Sequence, residues 1–370
     1  MDTRVRMARW NSFRRHFAMG ISLLALPATT FAGVKVFDSP DHTLEVGMRL
    51  QPRMEYETSV LAPFGTDSRR DFLVRRARLK ANGKMQSAAF GFEWKIDGTD
   101  QSGATPSGAV ENAWVQFPLH GSAVELKAGL YDQPFSRDRL TSDSRQLAVD
   151  RGEVSNVPDA LGLADNVVGF QFLGRTSDSR VGYALGLFDN RFIATGQQDV
   201  PMVVGRLDFN LASTKDVFQD AHFGADRWYS FGINGSVQNR IENAAGATDS
   251  SNTAAGVDGM VDVPFGKSRV FVKGELNAIR TELHATDRQN NCTVKMIGLG
   301  ILFRERIQPF VRFDQVRGDS WARSGRQDIT FVGANYYKRG HGLKIQGDLR
   351  MQAGTQDAID GVRLQAQTDF

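Results

Sequence analysis

The side chains best suited to chemistry in this sequence lie in the stretch FLVRRARLKANG, residues 72–83. It carries Arg75, Arg76, Arg78 and Lys80 within six positions. A guanidinium group donates paired hydrogen bonds to phosphate or carboxylate oxygens, and an ammonium group adds a compact positive charge. The stretch therefore predicts an anion-binding surface, provided that the fold brings these side chains to one face.

A β-strand does so, because its side chains alternate between two faces. At a period of two residues, one face holds Leu73, Ala77, Leu79 and Ala81, and the other holds Phe72, Val74, Arg76, Arg78, Lys80 and Asn82, with Arg75 as the exception. Taken alone, the pattern fits equally well an exposed edge strand of a soluble sheet, where Lys and Arg prevent edge-to-edge association.

The same alternation recurs along the chain. We predict about 16 strands, at residues 43–56, 71–83, 87–98, 109–118, 123–131, 166–174, 180–188, 201–211, 227–238, 254–264, 268–278, 294–304, 307–317, 327–338, 341–351 and 360–370. The connections alternate between short ones (118–122, 265–267, 338–340) and longer polar ones (98–108, 239–253, 318–326). Long alternating strands with two classes of loop are typical of a transmembrane β-barrel, whereas a soluble β-sandwich usually has shorter strands.

The predicted fold is thus all-β: a transmembrane antiparallel β-barrel with a polar interior. We expect Leu73, Ala77 and Leu79 to face lipid, because a basic side chain facing lipid at the midplane costs about 2–4 kcal/mol. Arg76, Arg78 and Lys80 then face the water-filled interior. Arg75 is left with an interfacial position or a subunit contact.

The N-terminus has the form of a secretory signal peptide. Five arginines precede the apolar segment 17–27, and Thr30-Phe31-Ala32 supplies small residues for cleavage. We predict a cleaved signal over 1–32 and one barrel domain over 33–370. Cleavage leaves 40 basic and 41 acidic side chains, a net charge of −1, which argues against a nucleic-acid partner. Cys292 is the only cysteine, so an internal disulfide is excluded.

One connection, residues 132–165, is much longer than the rest. Structureless loops of this length are usually functional. It follows the fifth predicted strand, which makes it the third outer loop.

At this loop the sequence resembles the phosphate-selective porin O and P family. The matching pieces are FLVRRARLKANGK (72–84), ENAWVQF (111–117), LKAGLYDQPFSRDRLTSDS (126–144) and VDRGE (149–153). The terminal Phe370 also resembles the last strand of outer-membrane barrels. The resemblance implies a trimer of 16-stranded barrels in the outer membrane of a Gram-negative bacterium. It also implies that the third loop folds into the lumen.

The resemblance assigns roles to individual residues. Arg76 corresponds to a lumen arginine, Arg139 and Arg151 to basic residues of the constriction loop, and Ser142 to a serine that donates to the anion. We include Arg78, Lys80 and Arg145 among the candidate anion-binding residues. Asp143 stands where relatives can have a second serine, and Asn112 stands where an acid is common, so both depart from the pattern. An alternative for any wall arginine is an ion pair with a wall acid such as Glu93, Asp97 or Glu125.

The sequence therefore predicts an outer-membrane porin for small anions, with inorganic phosphate or polyphosphate as the expected substrates. The alternatives are a weakly selective porin for small carboxylates and other solutes, and a closed barrel with a structural or adhesive role. Outer-membrane lipid and lipopolysaccharide are the expected surroundings. We find no nucleophile, phosphate-loop or zinc-ligand pattern, so we expect neither an enzyme nor a cofactor.

Overall fold

The computed structural model describes residues 33–62, 65–96, 108–121, 123–189, 201–211, 218–224, 226–242, 249–283, 287–318, 325–353 and 359–370. The predicted signal peptide, 1–32, lies outside these ranges, as does most of the predicted connections 98–108 and 318–326.

The chain forms 17 strands within the described ranges: β1 (Val34–Asp38), β2 (His42–Ala62), β3 (Gly65–Met85), β4 (Ala88–Ile96), β5 (Gly108–His120), β6 (Val124–Asp132), β7 (Asn166–Arg175), β8 (Val181–Phe188), β9 (Met202–Asn210), β10 (Trp228–Glu242), β11 (Asp249–Phe265), β12 (Ser268–Leu283), β13 (Arg288–Phe303), β14 (Ile307–Gly318), β15 (Gly325–Arg339), β16 (Leu343–Gln352) and β17 (Gly361–Asp369). Between β6 and β7 lie helix α1 (Arg137–Leu140), a 3-10 turn (Asp143–Arg145) and helix α2 (Glu153–Ala160). None of the described helices is long and apolar enough to cross a membrane.

Strands β2 to β17 form a closed ring of 16 antiparallel neighbours. β9 pairs with β10, and β17 pairs with β2, which joins the two ends of the sheet. At this closure Met48 and Phe370 exchange backbone hydrogen bonds of 2.7 and 3.0 Å. The 16-stranded barrel predicted from the sequence is confirmed. β1 was not predicted; it pairs with β2 from Thr43 to Val46, beyond the end of β17.

The wall alternates as the sequence pattern requires. On β12, the inner face carries the buried side chains Arg269, Phe271, Lys273, Glu275 and Asn277. Leu276, between the last two, is exposed on the outer face. The outer face carries large exposed apolar side chains around the ring, including Phe92, Phe170, Leu185, Phe231, Ile297 and Val332. Such a surface is stable only where lipid or another apolar surface covers it.

β3 departs from the predicted alternation at a β-bulge. Gln51 pairs with Arg76 but Pro52 pairs with Val74, so Arg75 is an extra residue. Pro52 has no N–H to donate, and proline within a sheet is confined to edges and bulges. The bulge reverses the faces beyond it, so Phe72 and Val74 are exposed outside. Leu73 pairs with the inward-facing Arg53. The prediction that Leu73 faces lipid was therefore wrong, as was the grouping of Phe72 and Val74 with the basic face.

The connections fall into two classes, one at each end of the barrel. The turns at 86–87, 266–267 and 304–306 join strands at one end, here the short-turn end. β10 and β11 extend to Glu242 and from Asp249, so the connection predicted at 239–253 is shorter than expected. The connection between β9 and β10, residues 211–227, lies at the short-turn end by strand alternation, although it is 17 residues long.

Candidate functional site: the inner wall and the loop between β6 and β7

The three predicted wall residues lie on the inner face of β3, each beside a carboxylate. Arg76 Nε lies 2.9 Å from Asp143, and Arg78 lies 3.5 Å from both Glu93 and Glu111. Lys80 Nζ lies 2.5 Å from Asp369 on β17. The predicted alternative of pairing with wall acids thus holds for Arg78 and Glu93.

Arg139 is surrounded by acids of its own loop and of the adjoining strand ends. Its guanidinium lies 2.8 Å from Asp132 and 2.9 Å from Asp165, and it donates to the Asn166 side chain at 2.7 Å. Asp159 lies 3.7 Å away. These contacts fix the two ends of the loop to each other and use the donors that an anion would need.

Ser142, Arg145 and Arg151 lie close together in the loop. Ser142 accepts a hydrogen bond from Arg49 of β2 at 2.8 Å, and the Arg145 N–H donates to the Ser142 carbonyl at 2.7 Å. Arg151 forms an ion pair with Asp143 and donates to the Arg139 and Thr141 carbonyls at 3.2 Å each.

Asp143 is the residue that joins these predicted groups. It lies between Arg76 of the wall and Arg151 of the loop. Burial alone would raise the pKa of the Asp143 carboxyl, but Arg151 and Arg76 lower that pKa far below its usual range. Asp143 therefore stays ionised and occupies the position between the two arginines where an anion would otherwise bind.

Asp150 is a second acidic centre, which the sequence analysis did not single out. It accepts from Arg53 of β2 at 2.7 Å and from Arg363 of β17 at 2.7 Å, with Arg75 at 3.9 Å. Burial raises the pKa of Asp150, but Arg53 and Arg363 lower it further, so the net shift is well below the usual value. The signal that could have found it is the VDRGE piece, which contains both Asp150 and Arg151.

The loop reaches inner-face side chains on the far side of the ring as well. Arg137 lies 2.6 Å from Asp258 of β11, and Asp138 lies 2.7 Å from Lys273 of β12. Arg312 of β14 donates to the Asp150 carbonyl at 2.7 Å. Residues 133–165 thus contact the inner face from β2 and β17 round to β11.

Apolar contacts accompany these polar ones. Val154 and Val157 of α2 are buried in one cluster with Phe135, Leu161 and Leu163 and with the inner-face residues Ile279, Cys292, Val294, Met296 and Val316. These five wall residues are apolar, although the inner face of a barrel is usually polar. They provide the apolar surface against which the loop packs.

A cavity of about 770 Å³ lies between the β3 wall and the loop. Its lining carries eight basic side chains (Arg75, Arg76, Arg78, Lys95, Arg139, Arg151, Arg350, Arg363) and seven acidic ones (Glu57, Glu111, Asp143, Asp150, Glu153, Asp159, Asp165). The bulge brings Arg75 into this lining beside Arg76, which answers the question that the sequence left open for Arg75.

Lys127 of β6 is an inner-face cation of a different kind. Its ammonium lies 4.4 Å from the ring centres of both Trp114 and Tyr131. Among the ion pairs of the described residues none includes Lys127. Cation–π contacts hold an ammonium in place without an ion pair, and the acid that acts on Lys127 electrostatically is Asp132 at the end of the same strand.

The described residues contain no group of three or more His, Cys, Asp or Glu side chains arranged to hold a metal ion. The site consists of ion pairs and hydrogen bonds around the cavity of about 770 Å³, and the chemistry of such an arrangement is electrostatic.

The closed barrel of 16 antiparallel strands with a charged interior is the fold of outer-membrane porins. The family model of the phosphate-selective porins O and P matches residues 46–200. The resemblance seen in the sequence is thereby confirmed over that part of the chain. A search of the curated proteins gives no match.

The solved structures with the same fold are porins. The chain is similar to the anion-selective porin from Comamonas acidovorans, with 12% identity and a TM-score of 0.59, covering 89% of this chain and 100% of that one. OprB of Pseudomonas putida gives 10% identity and a TM-score of 0.60, covering 88% and 94%. OmpT of Vibrio cholerae gives 9% and 0.58, covering 91% and 100%. At these identities the likeness concerns the fold alone.

Proposed function

We propose that this porin passes small anions, phosphate among them, by diffusion along the β3 wall. The observation that carries the proposal is the row of Arg75, Arg76 and Arg78 along one side of the 770 Å³ cavity. A row of basic groups lowers the barrier for anions and raises it for cations, and conduction needs several moderate sites rather than one deep one.

We infer further that residues 133–165 fold into the lumen and form the constriction. Supporting this are the ion pairs of Asp150 with Arg53 and Arg363 and of Asp138 with Lys273, which belong to strands on different sides of the ring. A segment that contacts several sides of a barrel interior must reduce the cross-section open to solutes.

The same contacts argue for moderate selectivity. Arg76, Arg139 and Arg151 already bind carboxylates, so a phosphate ion would have to displace them. The nearly equal numbers of basic and acidic lining residues favour a second candidate, a weakly selective porin for small carboxylates and neutral solutes.

Lys127 tips the balance toward anions. Beyond the cavity it adds an inner-face positive charge held by two aromatic rings instead of a carboxylate. An anion that has passed the arginine row would meet this charge next.

Single-channel recording in a planar bilayer tests the proposal. In a tenfold KCl gradient, a reversal potential shifted toward the equilibrium potential of chloride, together with a current that added phosphate reduces, supports an anion path. A reversal potential near zero, with no effect of phosphate, supports the weakly selective porin. Absence of current from correctly folded protein supports the closed barrel.

We also propose a homotrimer in outer-membrane lipid and lipopolysaccharide. The exposed apolar belt requires lipid or a subunit to cover it, and one structural relative, OmpT of Vibrio cholerae, is described in a trimer form. Mass measurement of the unheated protein in detergent distinguishes one copy from three.

A further inference from the structure

The connection between β9 and β10 has more contacts than a simple turn needs. Its described residues 218–224, here called the inner strap, lie at the short-turn end, which is the periplasmic end in barrels of this class. Asp220, Ala221 and His222 of the inner strap are all buried. Short turns at this end normally lie in water, so burial of this segment calls for an explanation.

The inner strap is fixed to the wall at several strands. The His222 N–H donates to Asp262 of β11 at 3.0 Å, and its ring stacks on Trp228 at 3.8 Å. The Ala221 carbonyl lies 2.9 Å from the His341 ring at the turn between β15 and β16. These anchors hold the inner strap across the β11–β16 part of the interior.

Asp220 links the inner strap to the loop between β6 and β7. The Asp220 N–H donates to the Arg145 carbonyl at 2.9 Å, and its carboxylate accepts from the Leu147 N–H at 2.7 Å. The same carboxylate lies 2.6 Å from Lys273, which also binds Asp138 of the loop at 2.7 Å. Lys273 is therefore shared by the inner strap and the loop.

The ion pairs of Lys273 are fully buried, and for this reason they strongly restrict movement of the loop and the inner strap. The side chains of Lys273, Asp138 and Asp220 are at most 2% exposed. Removing one partner of such a group leaves a buried charge without compensation, which is far more costly than losing a surface pair. The loop could leave its position only by breaking this group.

We propose that the inner strap is a brace that fixes the constriction loop from the periplasmic side, with Asp220 as the positioning residue. Asp220 acts through Leu147, Arg145 and Lys273 and does not itself line the cavity. The inference rests on the proposed role of the loop in conduction, but its structural part, that Asp220 immobilises the loop, does not depend on which ions pass.

Loss of the brace is tested with Asp220→Ala and Asp220→Asn. Asparagine keeps the acceptor for the Leu147 N–H but not the charge for Lys273. In single-channel recordings, we expect brief partial closures of the open channel to become about tenfold more frequent in Asp220→Ala, as for loss of a charge-assisted hydrogen bond. The rise should be smaller in Asp220→Asn. Asp360→Ala is the matched control, because Asp360 is equally buried and its described ion pair is with Arg350 of β16 rather than with the loop or the inner strap. Closures equally frequent in the control and in Asp220→Ala would overturn the proposal.

A reversible disulfide provides the rescue. The N–H···O contact between residues 220 and 145 brings their backbones within the usual span of a disulfide. In a Cys292→Ala background, Arg145→Cys with Asp220→Cys should give a quiet channel when oxidised and frequent closures when reduced. No difference between the two redox states of the same protein would contradict the brace.

Trypsin digestion separates this proposal from the proposed function. The loop contains Arg137, Arg139, Arg145 and Arg151. In detergent, Asp220→Ala should be cut within the loop at least several-fold faster than the parent protein and Asp360→Ala, while the barrel keeps its mobility on unheated gels. This result can appear even if the channel shows no anion preference or no current. Equal cutting rates in all three proteins would refute the brace.

Discussion

Asp143 offers the sharpest test of how the interior charges set selectivity. Asparagine at this position keeps the side-chain shape and removes the carboxylate between Arg76 and Arg151. Both arginines keep other anchors, since Arg76 donates to Gln51 at 3.2 Å and Arg151 donates to two loop carbonyls. We therefore expect Asp143→Asn to expose two positive groups to the path without moving them.

The magnitude follows from Coulomb's law. A unit charge removed at about 4–6 Å from a passing ion changes the ion's energy by about 1 kcal/mol in a water-filled pore, which corresponds to about a fivefold change in that ion's permeability. Because the change favours chloride and disfavours potassium, the ratio of chloride to potassium permeability should rise about 25-fold, and phosphate should reduce the current at lower concentration than in the parent protein. Asp143→Ser, the residue that the family resemblance implies at this position, should act in the same direction.

The assay is the reversal potential of single channels in a KCl gradient, followed by phosphate titration. Asp159→Asn is the matched control: it removes a lining carboxylate that lies 3.7 Å from Arg139 of the loop. Asp159→Asn should change the ratio of chloride to potassium permeability clearly less than Asp143→Asn does. A permeability ratio that stays the same or falls in Asp143→Asn, with the loop still resistant to trypsin, would refute the reasoning that Asp143 occupies the anion position.

Three further predictions follow from the same contacts. Lys127→Gln should lower the ratio of chloride to potassium permeability by up to about the same factor, because it removes an inner-face positive charge held by two aromatic rings. Lys295→Gln, on the outer face, should leave the reversal potential unchanged. Arg139→Ala should release the loop rather than weaken anion binding, since it removes the guanidinium that Asp132 and Asp165 share, at a cost of about 1.5–3 kcal/mol as for charge-assisted hydrogen bonds. Faster tryptic cutting with an unchanged phosphate effect would show this. Burial, with Lys344 nearby, holds the pKa of His341 well below its usual value. The stability that the neutral His341 contributes is therefore present above the ordinary histidine pKa of about 6.5 and is lost as the pH falls below that value. His341→Gln should reduce this loss of thermal stability at acid pH, and a pH profile of unfolding that stays the same would count against the prediction.

Much of the fold could be predicted because the alternation of side chains in each strand of a barrel is visible in the local sequence. A residue facing lipid must be apolar and its neighbour facing the interior can be polar, so each strand shows a period of two without reference to its partners. The alternation Arg-Val-Phe-Val-Lys on β12, with Arg269, Phe271 and Lys273 inside, was readable in this way. All 16 barrel strands were predicted, while the short β1, which lacks a clear alternation, was missed.

The bulge on β3 could not be predicted from that strand alone. Its cause is Pro52 on the neighbouring strand, and the effect falls on Arg75 because of the register between the two. Register is a property of a strand pair, and a shift of one residue reverses every face beyond it. Alternation read along a single strand therefore placed Leu73 on the wrong side.

The sequence by itself determined the barrel, the long loop and the kinds of charge available for an anion path. Which charges remain available was decided only by the tertiary structure. Arg76 meets Asp143, Arg53 meets Asp150, and Lys273 meets Asp138 across separations of 67 to 135 positions in the chain. Ion pairing depends on distances of a few ångströms, and no local periodicity encodes distances between segments so far apart. The link from Asp220 to the loop arose in the same way, across 73 positions, whereas the rings at Lys127 come from its own strand β6 and the adjacent β5.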